Sequence, residues 1–447
     1  MPNKLWGILK LDEDNPNKTE NQYPKEVFFK IIEKNNVEVT NYTKIKVERN
    51  NILLKIIEFL IEKYKDDKEK KEQFINLKKQ INNEQDLFYR ILKKKEQIWE
   101  EIYENIVEKE YSIEEIKNAL DKVNRDEPKY QEELLKAYYI KLWCFNFIAF
   151  NYPQNEELTN LLISQNEEKI NKLKTERERD LDNKTYLDNN CKIIYLEKGN
   201  SLHDLVKELK NNKIEDKSKL QLLFQKIMKQ ILIGLYLIHH LSKDECLYHN
   251  DLKPDNILMS FYQEDDNKET SLIDKYMKAT YKIVDLDLTR QIKYTEIDQE
   301  YSNRMYKNNI FPYDDPDKEE IYEVGEILWE LITKELHFLD DKTNMDLKKK
   351  YLKKNCIINK SEKLCKSTIK FLHRCLQTDR KFRITCDGAL DHEFFKQKDF
   401  NQYLDFKDIP KDLISQDGNF FYLPIYRPFL GLENYEMKED EDINVDF

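Results

Sequence analysis

Glycine is scarce in this sequence. Seven glycines occur in 447 residues, and none lies between Gly7 and Gly199. A G-x-G-x-x-G phosphate-binding loop is therefore excluded anywhere in the chain. Proline is also absent from residues 45–127, and apolar residues recur at helical spacing from Ile52 to Ile61. These patterns predict long charged helices in the first third of the chain.

Three other absences limit the functional classes. The seven cysteines contain no C-x-x-C pair, so we expect free buried thiols in a reducing compartment. The net charge is −11 without a concentrated basic segment, which argues against a nucleic-acid partner. No run approaches 18 apolar residues and no signal-like segment opens the sequence, so we expect no membrane partner and an intracellular, cytoplasmic location.

One stretch carries recognisable chemistry. Residues 248–258 read Tyr-His-Asn-Asp-Leu-Lys-Pro-Asp-Asn-Ile-Leu, and Asp285 follows a short apolar run further along. Asp251 could accept a proton from a hydroxyl group. Asn256 and Asp285 offer the oxygen ligands that hard cations prefer, and Lys253 places a compact positive charge beside a transferring phosphate. Residue types and spacing together indicate phosphoryl transfer.

This pattern resembles the catalytic loop of protein kinases, His-Arg-Asp-x-Lys-x-x-Asn followed by Asp-Phe-Gly. Residues 319–331 resemble the buried central helix of the kinase C-lobe, with Glu320 where the family usually has Asp. Residues 375–395 are similar to the closing motifs of the same lobe. The resemblance runs from residue 190 to residue 400. It implies an α+β bilobal fold with a small β-containing N-lobe and a mainly α-helical C-lobe, together with ATP and Mg²⁺ as cofactors.

The N-lobe resemblance is shorter. Residues 24–32 resemble the third strand of the family, Val-Ala-x-Lys, which implies that Lys30 contacts the α- and β-phosphates. A helix glutamate should pair with this lysine. Glu48 is the first choice and Glu133 is the alternative, because a segment after Glu133 resembles the one that follows that helix.

The resemblance also implies further nucleotide contacts. Residues 193–202 are similar to the hinge whose backbone holds adenine, which makes Glu197 a nucleotide-binding residue. Leu258, two residues after Asn256, is expected to contact the nucleotide as well. With Asp251 and Lys253 as catalytic residues and Asn256 and Asp285 as metal ligands, this completes the predicted site.

The chain is predicted to divide into five parts. They are the start of the N-lobe at 1–60, a charged helical insertion at 61–187, the end of the N-lobe with the hinge at 188–200, the C-lobe at 201–400, and a C-terminal extension with an acidic tail at 401–447. The insertion exceeds common connection lengths, so we expect it to bind a protein partner or to brace the lobes, with a solvated helical elaboration as the alternative.

Several positions depart from the family pattern. Gly7 resembles the last glycine of the phosphate loop but stands close to the first residue of the sequence, which predicts a weak grip on phosphate. Phe28 replaces a small Ala against adenine and would crowd the pocket unless its ring rotates away. Asn250 replaces the Arg that pairs with a phosphorylated activation loop, so control by loop phosphorylation is not expected.

Two further departures follow Asp285. The metal motif reads Asp285-Leu286-Asp287, which loses a glycine, gains a second carboxylate and keeps Leu286 for the core position of Phe. No Ala-Pro-Glu occurs between residues 289 and 317, so Arg383 is expected to lack its usual buried partner.

Three functional hypotheses remain. The first is an active, divergent Ser/Thr protein kinase, because all five chemistry-bearing residues are present. The second is a pseudokinase that acts as a scaffold or as a structural component of a complex. The third is a small-molecule phosphotransferase of the choline-kinase type, which Asn250 and Asp287 imitate but which the C-lobe motifs oppose.

Overall fold

The computed structural model describes a defined part of the chain. The described residues are 5–10, 26–33, 39–82, 91, 100–125, 131–149, 151–152, 156–212, 214, 216–241, 245–261, 271–286, 289–293, 317–334, 356–359, 366–377, 382–396 and 420–423. Asp287, the Ala-Pro-Glu region and the acidic tail, on which three of the expectations fall, lie outside these residues.

Short strands alternate with longer helices along the chain. The strands are β1 Leu5–Lys10, β2 Glu26–Glu33, β3 Asn151–Tyr152, β4 Cys191–Glu197, β5 Asn200–Ser201, β6 Glu245–Tyr248, β7 Ile257–Ser260, β8 Thr280–Ile283, β9 Arg290–Lys293, β10 Cys356–Asn359 and β11 Phe420–Leu423. The helices are α1 Val39–Lys63, α2 Lys68–Asn82, α3 Glu100–Tyr103, α4 Ile113–Arg125, α5 Gln131–Cys144, α6 Glu156–Leu173, α7 Asn183–Asn190, α8 Leu202–Asn211, α9 Lys217–His239, α10 Leu272–Lys278, α11 Asp317–Thr333, α12 Lys366–Cys375 and α13 Cys386–Leu390. The fold is the α+β, bilobal, kinase-like class expected from the sequence.

An antiparallel four-stranded sheet forms the N-lobe, in the order β1-β2-β4-β3. On β2, Val27, Phe29 and Ile31 are buried. Residues directly opposite each other in an antiparallel sheet share a face. Lys30 lies opposite Trp6 on β1, so both point to the other, more open face. The alternation of β2 therefore puts one face into the core and turns Lys30 away from it.

Gly7 does not belong to a phosphate loop. It lies inside β1, opposite Phe29 of β2, so the expected role as the last loop glycine is wrong. A Cβ atom on Gly7 would come within 3.0 Å of the Phe29 ring. Glycine is therefore needed here because an aromatic ring packs over the strand, a constraint that has nothing to do with phosphate.

The C-lobe is organised around α9. Its apolar residues are buried from Leu223 to Ile238, and it packs against β6, β8, α11 and α13. Among the described residues, it is the one helix long and apolar enough to cross a membrane, but 72% of the qualifying window is buried within the protein. That degree of burial is typical of a core helix.

Arg383 is held by backbone carbonyls. Its guanidinium donates to the carbonyls of Gln377, at 2.8 Å, and Lys318, at 3.0 Å, and it stacks over the ring of Tyr322. The expectation that Arg383 lacks its usual buried partner stays a prediction, because residues 294–316 lie outside the described part of the chain. Planar donors of this kind can bind carbonyls and an aromatic face together.

Helices within the predicted insertion contact both α1 and the C-lobe. Lys141 of α5 is 1% exposed, and its ammonium donates to Glu48 of α1 at 2.7 Å and to the carbonyl of Leu241, beyond α9, at 3.1 Å. On α4, Lys117 binds Asp387 at 2.6 Å and also Asp391. These contacts support a bracing role. The boundaries of the insertion at 61 and 187 stay predictions.

The two lysines should differ in their contribution to stability. Lys141→Met leaves a partly buried carboxylate and a buried carbonyl unpaired, and we expect a loss of roughly 2–3 kcal/mol, less than for a fully buried pair because Glu48 keeps contact with water. Lys117→Met removes ion pairs to half-exposed carboxylates and should cost under about 1 kcal/mol. Urea unfolding of both variants measures the difference, and equal losses would contradict it.

Candidate active site

The loop between β6 and β7 orients Asp251. A 3₁₀ turn at Pro254–Asn256 brings the Asn256 side chain back along the loop. Its amide nitrogen donates to the backbone carbonyl of Asp251 at 2.7 Å and to Oδ2 of the same residue at 3.0 Å. Lys253 donates to that Oδ2 at 2.8 Å. Two donors thus fix one oxygen of the carboxylate that is expected to receive a proton.

Lys30 and Asp285 meet across the cleft. The Lys30 ammonium lies 2.9 Å from Oδ1 of Asp285, although 255 residues separate them in sequence. Asp285 follows β8 directly and has a φ of 60°, in the left-handed region that non-glycine residues rarely adopt. The backbone N–H of Val284 donates to the carbonyl of Asn256 at 2.9 Å, which joins this pair to the catalytic loop.

The donor set suits a hard cation. The contacts of Asn256 use its amide nitrogen, and the contact of Asp285 uses Oδ1, so an oxygen on each side chain is left for a ligand. Amide and carboxylate oxygens are what Mg²⁺ prefers. Within the described residues, no group of three or more His, Cys, Asp or Glu could hold a metal. A site here would therefore rest on Asn256, Asp285 and oxygens of the nucleotide.

Glu48 is engaged elsewhere. Its carboxylate accepts from Lys141 at 2.7 Å, while the Lys30 ammonium lies on Asp285. The alternative, Glu133, pairs with Lys122 at the surface. The structure thus gives no support to either glutamate as the partner of Lys30. Helical spacing selects residues on one face of a helix but does not say which neighbour covers that face.

Glu197 and Leu258 remain predicted nucleotide contacts, and the structure gives each a position on a strand. Glu197 ends β4, and its carboxylate turns into the core, where Lys282 of β8 donates to both oxygens at 2.8 and 2.9 Å. Leu258 is buried on β7 directly opposite Lys282. Leu258 and Lys282 therefore share a face of the β7–β8 ladder.

Aromatic rings lie on the open face of the N-lobe sheet. Phe28 lies two residues before Lys30, and its ring stacks on Trp6 with centroids 6.2 Å apart. Trp6 is 65% exposed. The face that presents Lys30 is thus aromatic where the family pattern expects a small side chain.

Buried groups hold the backbone of the catalytic loop. Glu320 of α11 accepts the N–H of Asn250 at 2.8 Å and contacts His239 at 2.5 Å. Glu323, one turn later, accepts the N–H of Leu252 at 3.1 Å. Asn250 has a φ of 60°. The carboxylates compensate for this strained backbone by satisfying its N–H groups.

His249 links the loop to the strand before Asp285. Its Nδ1 accepts the N–H of Asp251 at 3.3 Å, and its Nε2 lies 2.7 Å from the carbonyl of Val284. One nitrogen accepts and the other donates, which defines the neutral tautomer with hydrogen on Nε2.

Comparison with known families decides the classification. The family model for the protein kinase domain matches residues 158–395, just over half of the chain. The chain belongs to the protein kinase family. A search of the curated proteins finds no match. The family match begins within the predicted insertion and ends at the last motif of the predicted C-lobe. Domains of this family generally bind ATP and Mg²⁺.

The kinase motif after β8 is partly described. Leu286 is 1% exposed and fills a core position, as predicted for the residue in place of Phe. Cys144, Cys191, Cys375 and Cys386 are buried thiols outside any disulfide, in agreement with the expectation for these cysteines. Burial raises the pKa of the thiols of Cys144 and Cys375.

Sequence reasoning missed the buried Lys141 and Lys282 and the half-buried Glu323. Lys141 and Lys282 each interrupt an apolar run in which no neighbouring position calls for a charge. Glu323 is one of three glutamates spaced by three residues on the apolar helix α11, with Glu320 and Glu326. A charged residue inside an apolar run predicts a buried partner, but its identity depends on the tertiary contact.

Glu323 should make the stability of the kinase depend on pH. Burial, followed by repulsion from Glu320, raises its pKa well above the ordinary glutamate value. A raised folded-state pKa favours the folded state below the unfolded pKa, and this contribution is lost as pH rises through the folded pKa. Glu323→Gln keeps an oxygen acceptor for Leu252. We therefore expect the difference in melting temperature, variant minus wild type, to become more positive as the pH rises from 5 to 8. A difference that does not change with pH would disprove this assignment.

Proposed function

We propose that this chain is an ATP-dependent protein kinase that transfers a phosphoryl group to Ser or Thr hydroxyls of a protein substrate. One observation carries the proposal: Lys30, Asp285, Asn256, Asp251 and Lys253 form one connected site. The connection runs from Lys30 to Asp285, then through the Val284–Asn256 backbone bond to the catalytic loop. There Asn256 and Lys253 both bind Asp251.

Each side chain has a role that follows from its position. Bound Mg²⁺–ATP supplies the phosphoryl group and neutralises its negative charge. Asp285 and Asn256 would hold the metal with their remaining oxygens. Lys30 would bind phosphate oxygens once it separates from Asp285.

The acceptor side of the site consists of Asp251 and Lys253. The Asp251 carboxylate is 30% exposed, so an incoming hydroxyl can reach it. Asp251 would orient that hydroxyl and accept its proton as the hydroxyl oxygen bonds to the γ-phosphorus of ATP and the bond from this phosphorus to the ADP oxygen breaks. Lys253 lies beside the same carboxylate and offsets charge on the moving group. The C-lobe motifs, which the family match includes, favour a protein over a small-molecule acceptor.

A second candidate is a pseudokinase that binds partners without transferring phosphate. The pairing of Glu48 with Lys141 favours it, because this carboxylate is engaged away from the nucleotide site. The Trp6–Phe28 stack on the same face favours a modified pocket. Under this candidate the helical insertion would serve as the surface for a protein partner.

Nucleotide binding separates the two candidates. At about 100 times its dissociation constant a ligand adds roughly 2.7 kcal/mol to the native state, which moves a melting temperature by several degrees. We expect Mg²⁺–ATP to raise the melting temperature of the wild type, and Asp285→Ala to lose the Mg²⁺-dependent part. The absence of a shift at millimolar ATP would reject nucleotide binding and favour the scaffold.

Transfer itself is tested at Asp251. Asp251→Asn keeps the shape of the side chain but removes the proton acceptor, and we expect a loss of at least about 100-fold in phosphate transfer with unchanged nucleotide affinity. The measurement is incorporation of labelled phosphate into Ser/Thr-containing peptide mixtures or into the chain itself. Full activity in this variant would remove Asp251 from the mechanism.

A further inference from the structure

A buried ion pair connects the hinge to the strand that carries Asp285. Lys282 lies three residues before Asp285 and is completely buried, while Glu197 is 7% exposed. The ammonium contacts both oxygens of the carboxylate at 2.8 and 2.9 Å. Ser260 of β7 donates to the same carboxylate at 3.2 Å. The pair therefore joins β4, β7 and β8.

Stability alone does not explain a charge in this position. Removing two charges from water costs several kcal/mol per ion, and well-packed apolar residues of similar volume are often neutral or stabilising replacements. Leu258, directly opposite Lys282 on β7, is apolar and buried. An apolar residue at position 282 would pack on the same face without the desolvation cost. The ion pair therefore has a role other than stabilising the core.

A charged bidentate contact constrains the relative position of the strands that it joins. An apolar strand can slide or tilt against its neighbours at little cost, whereas a bond to two oxygens is satisfied in one geometry. β7 and β8 are only four residues long, so few ladder hydrogen bonds fix their register. Lys282 lies opposite Leu258, which is itself a predicted nucleotide contact. Asp285 lies two residues beyond the end of β8 and has a φ of 60°.

We propose that the Lys282–Glu197 pair is a positioning device that fixes β8 against the hinge and so holds Asp285 in the position that metal binding requires. Glu197 and Lys282 touch neither the phosphates nor the metal in this role. They act through β8. The inference rests on the proposed function, because it assigns a role within the nucleotide site of that function.

The role predicts a Mg²⁺-specific effect. Metal binding uses the Asp285 carboxylate directly, whereas in metal-free ATP binding Asp285 only competes with phosphate for Lys30. If β8 loses its register, affinity for Mg²⁺–ATP should fall, while affinity for ATP in the presence of EDTA should not fall. A merely structural pair would weaken both, or neither.

The test uses the full chain and isothermal titration calorimetry with ATP, with Mg²⁺ and with EDTA. The variant Glu197→Leu with Lys282→Met replaces both charges, so that no lone buried charge unfolds the protein. We expect its dissociation constant for Mg²⁺–ATP to rise at least about tenfold and its constant in EDTA to rise by less than about twofold. Equal changes in both, or no change, would overturn the proposal.

A matched control removes a buried polar contact away from the β4, β7 and β8 strands. Thr368 of α12 donates to Gln221 of α9 at 2.9 Å, and both side chains are buried. The variant Gln221→Leu with Thr368→Val should leave both dissociation constants within about twofold of wild type. A Mg²⁺-specific loss in this control as well would show that the effect is not particular to the hinge pair, which would also overturn the proposal.

A second measurement separates this inference from the proposed function. Wild type that binds no Mg²⁺–ATP would reject nucleotide binding, but the positioning of β8 can still be measured without ligand. The Val284 amide is bonded to the Asn256 carbonyl. Its hydrogen exchange should be at least about tenfold faster in the double variant than in wild type or control. Unchanged exchange would reject the positioning role irrespective of nucleotide.

Discussion

The buried carboxylates of α11 are the constraint on which the site depends. Glu320 accepts the backbone N–H of Asn250 and Glu323 accepts that of Leu252, the residues before and after Asp251. Asn250 has a left-handed backbone. A loop in this conformation would otherwise relax, because its N–H groups would be unsatisfied in the interior. The helix thus sets where Asp251 lies. The side-chain contacts of Asn256 and Lys253 then set how its carboxylate is turned.

Contacts to the same loop determine the position of the second half of the site. His249 and Asn256 both bond to the backbone of Val284, one residue before Asp285. The loop and the end of β8 therefore move together. The hinge pair at Lys282 adds a third attachment, two residues before Val284. The site is supported largely by side chains of other elements that bind backbone groups of the loop and of the segment after β8.

The sequence predicted the catalytic loop, the strand before Asp285 and the helices α9 and α11, because each combines a motif with a clear hydrophobic period. It was less informative where a contact joins distant segments. Lys141 lies 93 residues from Glu48, and nothing in the helical pattern of α1 names the partner. Gly7 was misassigned for a related reason. The packing of Phe29 over it depends on strand pairing, whereas the motif considered only neighbours in sequence.

The contact between Lys30 and Asp285 has a thermodynamic consequence. Each group partly neutralises the other, so a cation approaching Asp285 alone or an anion approaching Lys30 alone must first break an ion pair. A ligand that brings both charges together separates the pair once and satisfies both halves. Binding of the two charges is therefore coupled, and by linkage each increases the affinity for the other by the same factor. A ligand that carries both a cation and an anion should therefore bind in preference to free phosphate or a free divalent ion.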